Sequence, residues 1–143
     1  MAEIRHSTLS RLVPAYVRHS VRAVQHVDPD PDFWTFDEVN DRVGASGTPA
    51  DAWDVVTAIV RAAPDESLGY IGAGPVEDMV RHHGAALVDW IEGEARRDQR
   101  FQFALGCIWM HRRDLPAPIF ERLQHASGGR IAVLEEDVQP PAT

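Results

Sequence analysis

Apolar residues recur along this chain at three- and four-residue spacing, and that period predicts a succession of short helices. Leu9, Leu12, Val13, Tyr16, Val17, Val21 and Val24 fall on one helical face, with Arg11, Arg18 and Arg22 opposite. Pro14 fits a first-turn position, so the helix is expected over about 14–26 with a looser turn before it. After the breaker Asp28-Pro29-Asp30-Pro31, Asp30 can cap a helix that opens on Pro31. Phe33, Phe36, Val39 and Val43 line its face, and Gly44 closes it. Thr48 and Pro49 mark the next start, with Asp51 in the first turn; Ala52, Val56, Ile59, Val60 and Ala63 form its stripe up to Pro64.

A short helix is expected over 65–73, and Gly74-Pro75 should break it and open another, which ends at Gly84. Residues 85–97 form a further helix through Leu87, Val88, Ile91 and Ala95. Asp98 can cap a helix over 99–111 that is apolar nearly all round, the mark of a central, buried element. Pro116 and Pro118 precede a last helix that ends near Ser127-Gly128-Gly129. Residues 130–134 form a short strand or pack loosely, and 135–143 read as a polar tail. No strand pair and no βαβ pattern emerges. The expected fold is all-α: a single compact domain over 1–134 with seven or eight short helices, with stacked helical hairpins as a variant that no sequence period supports.

Composition narrows the function classes. The 143 residues suit one domain, and the single cysteine, Cys107, allows no intrachain disulfide, which points to a reducing, cytoplasmic setting. No stretch approaches the ~18 consecutive apolar residues of a membrane span, and no secretory leader is evident. All 14 basic residues are arginine, so lysine nucleophiles and Schiff bases are excluded. A net charge of −8 argues against general nucleic-acid or anionic-membrane binding. The charge is uneven: residues 1–27, a basic amphipathic segment, carry four arginines and one glutamate, whereas 28–54 carry eight carboxylates and Arg42. That basic N-terminus has the composition of a transit peptide, but it fits equally as a docked first helix. The plain reading of the asymmetry is that the two segments pack side by side; the functional one is that the acidic segment steers a basic partner.

One stretch carries a resemblance. Phe33-Trp34, Phe36 to Val39 and Ala52-Trp53 are followed by the run Ile71-Gly72-Ala73-Gly74-Pro75-Val76-Glu77-Asp78 and by His83-Gly84. Then come Ile91-Glu92, Ala95 to Asp98, Phe101, Ala104-Leu105 and Trp109. From Phe33 to about Leu123 the chain resembles a bacterial helical family catalogued only as a domain of unknown function. The resemblance implies a helical bacterial domain and no activity.

The glycine run is not a phosphate loop. No strand precedes it, neither nucleotide-binding spacing is complete, and Glu77 and Asp78 would repel a phosphate. The plainer reading makes Gly72 and Gly74 a tight interhelical turn, Pro75 a first helical residue and Glu77 a group serving the free amides and dipole of that helix start. Asp78 and His82, four apart, share a helix face and suggest an acid/base pair, whereas His83 lies on the apolar side. The remaining histidines, His19 among them, show no ligand spacing; no metal, cofactor or catalytic residue is assigned. Cys107 and the four tryptophans read as packing residues.

The expectation is a non-enzymatic helical interaction module of a bacterial cytoplasm, monomeric or homodimeric. It would bind a basic protein partner through Asp37, Glu38, Asp41, Glu77 and Asp78, and an inhibitory or immunity-like role is one version. The alternative is a small hydrolase or transferase that uses Glu77, Asp78 and His82 around a cleft near Gly74. A cleft with convergent polar groups would favour the enzyme, and a flat acidic patch with exposed aromatics the binder.

Overall fold

The computed structural model describes residues 7–134; the polar tail expected over 135–143 and His6 lie outside the described residues. Helix α1 (Leu9–Gln25) begins earlier than expected, with Pro14 inside it and not at its first position. Near an N-terminus the ring forfeits one donor, that to the Ser10 carbonyl, while Leu12, Val13, Ala15 and Tyr16 still bury the face. The helix ends with His26 in the left-handed region (φ 54°), and the Val27 N–H donates to Arg22 O at 3.0 Å.

Helix α2 (Trp34–Val43) starts later than a cap at Asp30 would place it. The Asp30 carboxylate is occupied elsewhere: it accepts from the Asp32 N–H at 3.0 Å and from the His19 ring at 2.6 Å, which holds the preceding loop against α1. Helix α3 (Pro49–Ala62) matches its sequence signals. The Thr48 hydroxyl accepts from the Asp51 N–H at 3.1 Å, and Ala52, Val56, Ile59 and Val60 are buried.

The expected break at Gly74-Pro75 does not occur. A single 3-10 turn over Asp65–Ser67 leads into α4 (Leu68–Ile71), a widened π-type turn over Gly72–Val76, and α5 (Glu77–Arg97). Backbone angles stay right-handed across the joints, and the Glu77 N–H donates back to the Gly72 carbonyl, five residues earlier. The wider turn suits Pro75, which lacks the N–H that an α-helix would aim at Ile71. Gly84, expected to end a helix, lies buried inside α5, so the two helices expected over 76–97 are one. Because α4 and α5 join through this turn, the seven α-segments form six helical bodies among the described residues, fewer than the seven or eight expected.

Helix α6 (Gln99–Gly106) also departs from expectation, stopping well short of residue 111. The chain becomes strand β1 (Trp109–His111), which pairs in parallel with β2 (Ala132–Leu134) in the register Trp109↔Ala132. The protein is therefore mostly helical with a small sheet, not all-α. The reason is a change of period: Ile108 and Met110 are buried while Trp109 is 58% exposed, the alternation of a strand. Helix α7 (Ala117–Ala126) follows Pro116. Helix α5 is the centre of the molecule, packed against α3, α6 and α7, with Met79, Val80, Leu87 and Ile91 in one continuous core with Val56, Leu105 and Leu123.

Candidate functional site

The arginines of α1 face the acidic segment that follows. Arg18 clasps Asp32 through two hydrogen bonds of 3.1 Å, and Arg22 donates to Pro29 O at 3.0 Å. Arg11 lies over the Trp34 ring, 5.0 Å from its centroid. Glu38 accepts from the Ser7 N–H, and Arg42 donates to Ser7 O. Much of the charge asymmetry is thus resolved within the molecule. Asp37 and Asp41 are the exception: one helical turn apart on α2, both are exposed, and neither has an ion-pair partner among the described residues.

Beside them, Phe36 and Asn40 line an open cleft of about 350 Å³. Tyr16 of α1, Tyr70 of α4 and Asp78 of α5 form its other walls, over a floor of Gly74 and Pro75. Asp37 and Asp41 each follow a lining residue of α2, which sets them about 100° further round the helix. Burial pushes the Asp78 carboxyl above its usual range, with Arg81 and His82 pulling the other way. Arg81 cannot neutralise it fully: it stands 3.7 Å from Asp78 but is shared with Glu77 at 3.5 Å and Asp114 at 3.9 Å.

Behind the cleft runs a chain of polar side chains. Asp30 is 2.6 Å from Nδ1 of the buried His19, and the Tyr70 hydroxyl is 2.8 Å from its Nε2. Tyr16 stands beside Tyr70, and the two act on each other electrostatically. Burial, with the nearby Tyr70 and Asp78, pushes the Tyr16 phenol far up; burial and Asp30 push Tyr70 in the same direction. Tyr70 also borders a second hollow of about 330 Å³ that Asp30, His19 and Phe33 help line.

The five carboxylates expected to bind a partner are not one patch. Asp37 and Asp41 are free on α2, and Asp78 lines the cleft. Glu38 is half-buried and tied to Ser7. Glu77 accepts from the Trp109 N–H at 2.7 Å and serves no helix start, because the π-type turn has already satisfied its own N–H. Of the acid/base trio, Glu77 faces β1 and Asp78 the cleft, while His82 is exposed but near enough to Asp78 to act on its carboxyl. His83 is buried and its Nε2 lies 2.9 Å from Gly44 O.

Sequence reasoning missed His19 and Tyr70. Their link spans 51 residues and leaves no local spacing to read; the only signal was a histidine on the apolar side of an amphipathic helix. The tryptophans also divide: Trp53 packs between Trp90 and Phe101 at 5.8 Å, whereas Trp34, Trp90 and Trp109 are exposed. Among the described residues no three His, Cys, Asp or Glu side chains form a metal-ligating group, and no helix is long and apolar enough to cross a membrane.

No curated protein and no solved structure matches the chain. Residues 23–131 match a family described as Family of unknown function (DUF6869); the match covers most of the chain, which therefore belongs to that family.

Proposed function

We propose that this member of a family of unknown function is a non-enzymatic interaction module that receives a basic segment of a partner protein on its α2 face. One observation carries the reading. Asp37 and Asp41 remain exposed and unpaired among the described residues, on the helix whose Phe36 and Asn40 line the cleft that holds a third carboxylate, Asp78. Exposed aromatics on the same part of the surface, Phe33 and Trp34, supply the apolar contact area that such interfaces use. Inhibition of a basic partner is one version of this role. A bacterial cytoplasm suits a chain whose single cysteine, Cys107, has its thiol pushed up by burial. The hydrolase or transferase alternative would use Glu77, Asp78 and His82, of which Asp78 lines the cleft.

The test is titration of the labelled full chain with an arginine-rich peptide at low and physiological salt, followed by NMR. Asp37→Asn with Asp41→Asn should weaken binding about tenfold and flatten its salt dependence. Asp54→Asn with Glu66→Gln removes the same net charge from other exposed positions and should have little effect. Equal losses for the two double variants, or no binding at all, would sink the proposal.

A further inference from the structure

The chain of hydrogen bonds behind the cleft has a direction, and the direction fixes what the cleft offers a ligand. Asp30 as a carboxylate only accepts, so the His19 nitrogen beside it, Nδ1, carries the proton. Where the imidazole carries that one proton alone, Nε2 is bare and can only accept, and the Tyr70 hydroxyl donates to it. With its proton committed to His19, Tyr70 has only lone pairs left to offer. Tyr70 therefore turns only lone pairs toward the cleft, and the Tyr16 oxygen beside it can accept as well. Asp78 adds a carboxylate, and the Asn40 amide can turn either way.

We propose that this cleft is a site for a donor-only organic cation, a guanidinium or ammonium head held by Asp78 and the Tyr16 and Tyr70 oxygens. Three observations support the assignment independently of one another. The walls hold no cationic side chain. Tyr16, Phe36 and Tyr70 supply aromatic surface, which attracts cations. Asp78 is half-buried with only a share of Arg81 to balance it, so an incoming cation relieves a charge the protein leaves under-compensated. The volume of about 350 Å³ accommodates such a head and its alkyl stem. The inference rests on the interaction reading for its source, the arginine or lysine side chain of the partner. The site chemistry itself would equally accept a free small cation.

The experiment uses the full chain, labelled with ¹⁵N, and three probes: n-butylguanidinium, its neutral isostere n-butylurea, and the arginine-rich peptide. Butylguanidinium should shift signals at Tyr70, Ala73, Gly74 and Asp78 and saturate at about millimolar concentration. Asp78→Asn should weaken it about tenfold, the value of one charge-assisted contact. Butylurea, which carries an acceptor, should not bind, and the ¹⁵N shifts of His19 should report a bare Nε2. Equal binding of butylurea, or a proton on Nε2, overturns the inference. So does a peptide that binds through Asp37 and Asp41 while butylguanidinium leaves the cleft untouched, and in that case the acidic-face reading survives. Butylguanidinium binding in the cleft with no peptide binding keeps the cation site and sinks the protein-partner reading. Silence from all three probes sinks both.

Discussion

The carboxylate of Glu77 accepts a hydrogen bond from the backbone N–H of Trp109, 2.7 Å away and 32 residues along the chain. That contact closes an exposed strand edge. In the parallel pair the Ala132 N–H reaches Ile108 O, so the N–H and C=O of Trp109 and the N–H of His111 point away from β2. Three side chains take them: Glu77, Arg81 on Trp109 O at 3.4 Å, and Asp114 on the His111 N–H at 3.0 Å. An unpaired edge invites other strands, and here it is covered. Glu77→Ala should therefore cost about 1–3 kcal/mol in urea denaturation, while Glu77→Gln, which keeps an acceptor oxygen, should cost less. Equal losses would show that the ion pair with Arg81 matters and the strand edge does not.

Gly72 and Gly74 belong to one turn but answer to different neighbours. A Cβ on Gly72 would sit 2.3 Å from Ala104 O in α6 and 2.8 Å from the Cβ of Cys107, the residue that caps it. On Gly74 it would meet nothing nearer than the Tyr16 hydroxyl at 3.9 Å. Gly72→Ala should destabilise by about 1–3 kcal/mol through forced separation of the turn from α6. Gly74→Ala should be neutral or stabilise by about 0.4–1 kcal/mol, since neither position needs a positive φ. Thermal melting of the two variants decides it, and a reversed order would refute this account of the turn.

Much of the helical order was legible, because its signals are local. Thr48, Pro49 and Asp51 lie within one turn, and α3 starts where they say. What misled was a local rule overridden by its surroundings. Gly74-Pro75 reads as a break, yet Gly72 lets α6 come close enough to hold the chain helical through a widened turn. The buried-exposed-buried alternation of Ile108, Trp109 and Met110 could have been read as a strand, but it is hidden among apolar residues on every side. Of the candidate site, Asp78 was among the residues singled out and a cleft near Gly74 belonged to the enzyme alternative, whereas His19 and Tyr70 are joined only by the tertiary fold.

Asp78 should make stability depend on pH with an unusual sign for a carboxylate. Its folded pKa is raised by burial, so the folded state holds the proton more firmly than the unfolded chain does. The stabilisation from protonation is complete below the ordinary carboxyl value of 3.8 and is lost as pH rises through the raised one. At neutral pH the charged Asp78 is a net cost. Asp78→Asn should raise the melting temperature by about a few degrees at pH 7, and the advantage should disappear near pH 3. An advantage that stays constant over that range would place its origin outside this titration.

Asp30→Asn tests the direction of the polar chain itself. In the native protein one carboxylate oxygen accepts from the Asp32 N–H at 3.0 Å and the other from His19 Nδ1 at 2.6 Å. The amide offers one oxygen and one NH₂, so it cannot serve both donors. If its oxygen stays with the Asp32 N–H, its NH₂ faces Nδ1, and the imidazole must move its proton to Nε2. Nε2 then donates to Tyr70, whose hydroxyl proton is released toward Tyr16 or the cleft. If the oxygen turns to His19 instead, the Asp32 N–H loses its acceptor. Either outcome should cost about 1–3 kcal/mol, but only the first changes the His19 tautomer, which the ¹⁵N shifts of its two ring nitrogens report directly. We expect the first, because an N–H in the loop between α1 and α2 is fixed by backbone, whereas a ring tautomer exchanges through solvent at little cost. The variant should then lose affinity for butylguanidinium although Asp78 is untouched. Tyr70→Phe makes the matching control: it leaves Nε2 without a donor, keeps the proton on Nδ1, and removes one oxygen from the cleft. A tautomer that stays on Nδ1 in Asp30→Asn, with stability unchanged, would mean that Asp30 does not set the direction of the chain.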